Sequence, residues 1–291
     1  MISRRQFVAG SALVGTSALS ATSALAADDP NWKIQNGRIK QSVVHWCFNP
    51  MSVEDLAKAA AGMGLASVEL VGPEHWPTLK KYGLTCAIAG SHGFAKGFAH
   101  VEEHEECIAK LTKSIDASAE FGCPSVITFS GFRRELSTPD GQKNMIDGLK
   151  KIVKYAEEKK ITLCLEMLNS RVKTEMKGHP DYFCDKIEMG IEVCKAIGSP
   201  NLKMLFDIYH VQIMQGDVIT RIKEFHEYIG HVHTAGNPGR NEIGMNQEIN
   251  YPPMMQALLD VGYKGYVGQE FIPTNADKLA ALREGVRICD V

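Results

Sequence analysis

The sequence lacks a C-x-x-C pair, an excess of basic residues and a glycine-rich phosphate loop after any apolar run. Its eight cysteines are scattered without regular spacing, and several stand within apolar runs. We therefore expect buried free thiols rather than a disulfide framework. The missing glycine-rich loop argues against a dinucleotide-binding, doubly wound sheet.

Charge of neither sign dominates the chain. It has 32 Lys and Arg against 34 Asp and Glu, a formal net charge of −2, and its longest charged cluster, 157–160, mixes both signs. A nucleic-acid-binding face requires clustered basic residues. We therefore expect no nucleic-acid partner, and expect a small-molecule carbohydrate or keto-acid substrate instead; homo-oligomerisation stays open.

The first 26 residues resemble a twin-arginine (Tat) signal peptide. Arg4, Arg5 and Phe7 precede a run of small residues that ends in an A-x-A site at 24–26. That run is rich in Ser, Thr, Gly and Ala, too weakly apolar to span a bilayer well. We expect export to the periplasm or the exterior, no stable membrane insertion, and a mature domain over 27–291 with 30 basic and 34 acidic residues.

After residue 40 the sequence alternates between apolar runs rich in β-formers and amphipathic segments with helical spacing. The first of these segments opens with Ser52 as its predicted N-cap. Strand and helix alternating eight times predict a single-domain (β/α)₈ TIM barrel, with an open, doubly wound sheet as the alternative. The predicted strands cover 42–49, 67–72, 86–90, 125–131, 162–169, 202–210, 229–236 and 265–271.

Ionisable residues stand at the ends of the last four predicted strands, where the chemistry of such barrels collects. A buried carboxylate needs a positive or hydrogen-bonding partner, and ionisable residues from four strands that converge on one mouth favour a shared cation. Two Glu, one Asp and one His suit Mn²⁺ or Mg²⁺ first, with Co²⁺ and Zn²⁺ as alternatives. The residues concerned are Glu166, Asp207, His210, His231, His233 and Glu270.

His231 and His233 share one face of a strand, about 6.6 Å apart at roughly 3.3 Å per residue. His233 is nearer the carboxyl end, so we expect it to reach the cation. We expect His231 to be a hydrogen-bonded core histidine one layer below. His100 and His104, four residues apart on a helix, are interpreted as solvated.

Five stretches resemble the xylose isomerase-like TIM barrel superfamily of sugar isomerases and epimerases, and most closely its hydroxypyruvate isomerase branch. The His at 233 is closer to the ketose 3-epimerases, so the substrate is left open. The stretches are "EMLNSR" (166–171), "FDIYHVQ" (206–212), "IGHVHTAGNPGRNEIG" (229–244), "QEINY" (247–251) and "GYVGQEF" (265–271).

The resemblance implies one divalent cation held by Glu166, Asp207, His233 and Glu270. It also implies that Glu166 and Glu270 act as acid and base, moving a proton next to a carbonyl through an enediolate. Arg240 and His210 are then candidates to bind substrate, Arg240 through its two-pronged guanidinium. Glu69 and His92, on the second strand and in the loop after the third, are further substrate-binding candidates.

The leading interpretation is a metal-dependent isomerase or epimerase of a small hydroxy-keto acid or sugar. A lyase or hydrolase of an oxidised (keto) sugar would use the same residues. A non-catalytic sugar-binding protein is also compatible with this pattern of residues. An endonuclease IV-like phosphodiesterase would need more His ligands and a positive surface.

Overall fold

The computed structural model describes residues 29–291. The predicted signal peptide over 1–26 lies outside the described residues. Within 29–291, no helix is both long and apolar enough to cross a membrane.

Seven parallel strands form one sheet within the described part of the chain, in the order β2-β1-β7-β6-β5-β4-β3. The order is consecutive apart from the step between β1 and β7, as expected when a barrel is wound from repeated strand and helix units. The strands are β1 (Lys40–Val44), β2 (Ser67–Glu69), β3 (Ser125–Phe129), β4 (Thr162–Glu166), β5 (Leu202–Asp207), β6 (Ile229–Thr234) and β7 (Tyr266–Gln269).

The third predicted strand, 86–90, is reduced to isolated bridges between β2 and β3. Thr85 pairs with Ser67, and Ala89 pairs with Val126, both in parallel. Ala89 N also donates to Ser125 O (2.9 Å), and Ile127 N donates to Ala89 O (3.0 Å). The segment therefore fills the gap in the barrel, and the TIM-barrel fold is confirmed although this strand is too short to count as one.

Helices follow the strands and cover the outside of the sheet. Ser52 caps α1 as predicted, since its hydroxyl accepts a hydrogen bond from Asp55 N (3.1 Å), and Gly64 ends that helix in the left-handed region. The helices are α1 (Val53–Met63), α2 (Trp76–Lys81), α3 (His104–Phe121), α4 (Thr138–Lys159), α5 (Ile187–Ile197), α6 (Ile208–Met214), α7 (Val218–Phe225), α8 (Tyr251–Asp260) and α9 (Lys278–Cys289).

The sixth predicted strand, 202–210, ends three residues early because Asp207 starts a helix. Its Oδ1 accepts hydrogen bonds from Tyr209 N (2.8 Å) and His210 N (3.4 Å), so the carboxylate caps α6. The apolar run was compatible with either strand or helix. His210 consequently stands on the first turn of α6 rather than on a strand.

All eight cysteines are buried and free, which confirms the interpretation of the cysteines as packing residues. The interpretation of His104 as solvated was wrong. Its side chain is buried, and its Nε2 is 2.9 Å from Phe98 O, because α3 turns that face toward the loop after the third predicted strand. His100 is largely enclosed as well, with Nε2 3.0 Å from Phe132 O.

Candidate active site

The four predicted metal-binding residues meet at the carboxyl ends of neighbouring strands. Glu166 and Asp207 are the last residues of β4 and β5, and Glu270 directly follows β7. His233 on β6 pairs in register with Asp207. All four side chains are buried, and one ligand atom of each lies within 4.8 Å of the others. The barrel therefore brings together residues that are far apart in the sequence.

The donor atoms of this quartet fit a divalent cation. Glu166 Oε1 and Asp207 Oδ2 are buried without a hydrogen-bond partner. His233 Nδ1 lies 2.9 Å from Glu270 Oε2 and 3.9 Å from Glu166 Oε1. Buried polar atoms without partners destabilise a fold unless a ligand satisfies them. Three carboxylates and one imidazole are hard, oxygen-rich donors of the kind that Mn²⁺ and Mg²⁺ prefer.

The three carboxyl groups titrate differently although they share one site. Burial and the charge of Glu270 raise the pKa of Glu166 well above its ordinary value. Burial also raises the pKa of Asp207, to about 6, although Arg240 opposes it. Burial acts on Glu270 in the same direction, but Arg240 and His233 outweigh it and hold the pKa of Glu270 well below its ordinary value. A carboxyl group with a raised pKa beside one with a lowered pKa is the arrangement that acid–base pairs use.

Arg240 lies against the quartet, at the edge of the cavity. Its Nη2 donates to Glu270 Oε2 (2.6 Å) and lies 3.5 Å from Asp207 Oδ2, while its Nη1 donates to Met176 O (2.8 Å). The guanidinium also faces the rings of Trp46 and Tyr209, 5.3 and 5.7 Å from their centroids. It is thus held in place by hydrogen bonds at its end and aromatic rings at its faces.

His210 directs one ring nitrogen into the site. The backbone N–H of Asn169 donates to its Nδ1 (3.1 Å), so the neutral ring carries its proton on Nε2. That Nε2 is buried without a hydrogen-bond partner, 3.5 Å from Asp207 Oδ2. Burial and the charge of Arg240 lower the pKa of His210 well below its ordinary value. It can therefore donate a hydrogen bond without adding charge.

Glu69, predicted to contact substrate, lies below the mouth inside the barrel. It is fully buried, and its Oε1 is 3.0 Å from His231 Nε2 and 2.9 Å from His233 Nε2. Burial alone would raise the pKa of Glu69, but His231 and His233 outweigh it and lower that pKa to about 2. Glu69 is therefore an ionised group behind the quartet, and His231 is a buried partner of it.

His92 stands beside the cavity, with both ring nitrogens already engaged by protein groups. Its Nε2 is 3.0 Å from Thr128 Oγ1, and its Nδ1 is 3.0 Å from Gly93 O and 3.1 Å from Lys96 O. Burial lowers its pKa to about 4. The structure therefore gives His92 a role in shaping the loop after the third predicted strand.

A cavity of about 280 Å³ opens beside the quartet, and Glu166, Glu270 and Arg240 form its polar wall. The opposite wall is apolar and includes Trp46, Phe94, Phe129, Leu168 and Met176. Ligand pockets usually span about 300 to 1,000 Å³, so this one suits a small molecule.

His179 also lines the cavity and was missed in the sequence. It stands in the segment between β4 and α5, and the unusual length of this connection is the signal that could have pointed to it. The backbone bond from His179 N to Asn169 O (2.8 Å) folds this segment over the mouth. Its ring lies 4.4 Å from that of Phe94, and burial and Arg240 lower its pKa to about 4.

Comparison with known proteins agrees with this geometry. The family model described as xylose isomerase-like TIM barrel matches residues 58–290. The human protein named "Putative hydroxypyruvate isomerase" is 28% identical over 230 residues, which cover 76% of this chain and 75% of the human protein. The 2-oxo-tetronate isomerase of Pectobacterium atrosepticum is 29% identical over 243 residues, covering 78% of this chain and 88% of that protein.

Among solved structures, the apo form of the 3-keto-D-glucoside 4-epimerase YcjR from E. coli superimposes with a TM-score of 0.73 at 19% identity. The match covers 86% of this chain and 100% of that chain. At this identity the likeness concerns the fold alone. It places both chains in the same barrel architecture.

Proposed function

The chain belongs to the xylose isomerase-like TIM barrel family, and from this premise we propose that it is a metal-dependent isomerase or epimerase of a small hydroxy-carbonyl compound. The names of the sequence relatives, hydroxypyruvate isomerase and 2-oxo-tetronate isomerase, support an isomerase of small sugar-like acids. The observation that carries the proposal is the buried quartet, which contains partnerless carboxylate oxygens and two members of which, Glu166 and Glu270, line a cavity of small-molecule size.

Glu166, Asp207, His233 and Glu270 would hold the cation, with Mn²⁺ or Mg²⁺ favoured by the oxygen-rich donor set. Bound there, a divalent cation would polarise a carbonyl and its neighbouring hydroxyl and so make the adjacent C–H more acidic. Arg240 already contacts two of the carboxylates. Its positive charge helps to balance their negative charge where water is excluded.

Glu166 and Glu270 are the two groups that move the proton. Both line the cavity, and they come from strands that are separated by β5 and β6 in the sheet. They therefore approach a bound molecule from different sides. One carboxylate removes a proton from the carbon beside the carbonyl, and the other returns a proton to the neighbouring carbon or to the opposite face.

His210, His179 and Arg240 orient the substrate. The Nε2 of His210 lies 3.5 Å from Asp207 Oδ2, and the ring of His179, 6.0 Å from that of His210, borders the cavity. Both imidazoles have lowered pKa values and are neutral at pH 7. They suit hydroxyl groups, whereas the Arg240 guanidinium suits a carboxylate or a carbonyl oxygen.

Elimination from a keto sugar is a second candidate, because it begins with the same proton removal. The apolar wall formed by Trp46, Phe94 and Met176 favours it, since such a wall could hold the apolar part of a leaving group. Release of an aglycone or loss of water, rather than an isomeric product, would identify this reaction.

The test is a turnover screen with purified protein and Mn²⁺ over hydroxypyruvate, 2-oxo-tetronate, free ketoses and 3-keto glucosides, with products identified by NMR. We expect one class to be isomerised, and Glu166→Gln and Glu270→Gln to lose at least about 10²-fold in kcat. Glu103→Gln is the matched control, because Glu103 is a buried carboxylate bonded to Gly97 N and Arg134, outside the site. Full turnover by both site variants would contradict the mechanism.

We also propose that the protein acts outside the cytoplasm, on the strength of residues 1–26 alone. Mass spectrometry of the protein recovered from cell fractions tests this. A periplasmic species that starts near residue 27 supports export, and an intact cytoplasmic chain contradicts it.

A further inference from the structure

Glu69 reaches across the barrel interior to the strand that carries His233. In the sheet, β2 is separated from β6 by β1 and β7. Glu69 Oε1 nevertheless lies at hydrogen-bond distance from both histidines of β6, 3.0 Å from His231 Nε2 and 2.9 Å from His233 Nε2. Glu69 is fully buried and does not line the cavity. Its carboxylate is thus available to the histidines and not to a substrate.

Small residues on the two intervening strands make room for this reach. Ser42 on β1 and Gly268 on β7 pair in register, and Gly268 also pairs with His233. Ser42 Oγ donates to Glu69 Oε2 (2.6 Å). A Cβ on Gly268 would come within 2.1 Å of Glu69 Oε1 and 2.9 Å of His233 Cδ2. The space inside the barrel therefore holds the Glu69 carboxylate only because small residues stand at positions 42 and 268.

We propose that Glu69 is a positioning residue that fixes His233 as a ligand through Nδ1. Glu69 Oε1 lies at hydrogen-bond distance from the Nε2 of both histidines and accepts from them, so both carry a proton on Nε2. With Nε2 engaged by Glu69, the His233 atom left for a cation is Nδ1, which faces Glu166 and Glu270. His231 is the second anchor of the Glu69 carboxylate. This inference rests on the cation site of the proposed function.

The effect of such a contact is on the strength and geometry of cation binding. A carboxylate behind a ligating imidazole fixes the tautomer and the ring orientation and makes the ligand more basic, and its removal typically costs about 10- to 100-fold in metal affinity. Ser42 and His231 hold Glu69 from two sides. We therefore expect loss of the Ser42 hydroxyl to weaken cation binding less than loss of the carboxylate.

A second cation bound by Glu69, His231 and His233 is the competing interpretation, since these three groups also lie close enough to share an ion. The facing atoms of these three groups already bond one another, whereas the quartet contains carboxylate oxygens without a partner. We therefore expect one equivalent of cation per chain, held by the quartet alone.

The experiment measures Mn²⁺ stoichiometry and affinity by titration of the full-length protein after chelation. The series is wild type, Glu69→Gln, Glu69→Ala, Ser42→Ala and the matched control Glu103→Gln. We expect Glu69→Gln, which keeps the shape but loses the charge, to bind about tenfold more weakly, and Glu69→Ala to approach about 100-fold. Glu103→Gln should bind like wild type. Thermal unfolding shows whether each variant folds, and Glu69→Gln carries the test if Glu69→Ala does not.

Long-range ¹⁵N–¹H spectra of the histidine rings show which ring nitrogens carry protons. This observable would not change if Glu69 only supported the fold. In the chelated wild type we expect both His231 and His233 to bear a proton on Nε2, and Glu69→Ala to lose this proton in part of the population. Equal Mn²⁺ affinity and unchanged tautomers in folded Glu69→Gln and Glu69→Ala overturn this inference alone. Binding of two equivalents of Mn²⁺ by wild type overturns the positioning role of Glu69 in favour of a second cation site. No binding by wild type overturns the proposed cation site as well.

Discussion

Replacing Asp207 by Asn should stabilise the metal-free protein while abolishing its affinity for the cation. Burial raises the pKa of Asp207 from 3.8 to about 6. At neutral pH the ionised carboxylate therefore costs the fold about 3 kcal/mol relative to the unfolded chain. Asn carries no charge and avoids this cost. Its amide oxygen can still accept the hydrogen bonds from Tyr209 N and His210 N that start α6.

The pH dependence of this gain has a defined sign. Above pH 6 the carboxyl is ionised in both states and the full cost applies, whereas below 3.8 it is protonated in both states and the cost disappears. Asp207→Asn should therefore exceed wild type in free energy of unfolding by up to about 3 kcal/mol at pH 7.5, with the difference fading as the pH falls from about 6 to 4. Urea unfolding of chelated protein measures it.

Asp207→Ala separates the two roles of this side chain. It also removes the charge, but it loses the cap of α6, so it should be about 1 kcal/mol less stable than Asp207→Asn. Added Mn²⁺ should stabilise wild type only, because binding to the folded state raises its stability by mass action. The reasoning is refuted if chelated Asp207→Asn is no more stable than wild type at pH 7.5, or if Mn²⁺ stabilises it as much.

Three further outcomes follow. Arg240→Lys should lower kcat/KM at least about tenfold, because an ammonium cannot bond Glu270 and Met176 O together while stacking on Trp46. Steady-state kinetics on the substrate found by the screen measures this change, and unchanged kinetics would exclude a role for the guanidinium geometry. Buried His92 and His179, with pKa values of about 4, should each destabilise the fold as the pH falls from about 6.5 to 4, because the unfolded chain binds protons that these rings refuse in the folded state. Asp207 acts in the opposite direction, so urea unfolding should show wild type losing stability relative to His92→Gln over this range, and a constant difference would contradict the assignment. Tyr182→Phe should lower the free energy of unfolding by about 1 kcal/mol, because the hydroxyl that joins Ser130 N to Glu166 O is lost. An unchanged thermal unfolding curve would show that these two hydrogen bonds do not stabilise β4.

The sequence predicted the quartet because parallel strands end at one edge. An acidic residue after an apolar run marks that edge whether or not the strand boundary is known, so Glu166, Asp207 and Glu270 could be placed there from pattern alone, and the family resemblance then implied that they bind the cation. The start of α6 could not be predicted in this way. The stretch "DIYHVQIM" has apolar residues at spacings that suit a strand as well as a helix, and only the capping hydrogen bonds of Asp207 show that it is a helix.

The depth of Glu69 inside the barrel could not be predicted from the sequence. Glu69 ends its strand as Glu166 does, but Ser42 and Gly268 open a path inward and the histidines of β6 attract the carboxylate. That outcome depends on the register of four strands, which no local pattern contains. His179 was missed for a related reason, because its place at the cavity depends on a contact with Asn169 in a segment without periodicity.

The central claim is that the quartet and its two glutamates move a proton next to a carbonyl. The most direct measurement is deuterium incorporation from D₂O by Mn²⁺-loaded protein, followed by NMR over keto acids, ketoses and 3-keto sugars. Our account predicts deuterium at a carbon adjacent to the carbonyl in at least one class, lost in Glu166→Gln and Glu270→Gln and retained in Glu103→Gln. Absence of exchange across the whole panel with the cation bound would contradict it.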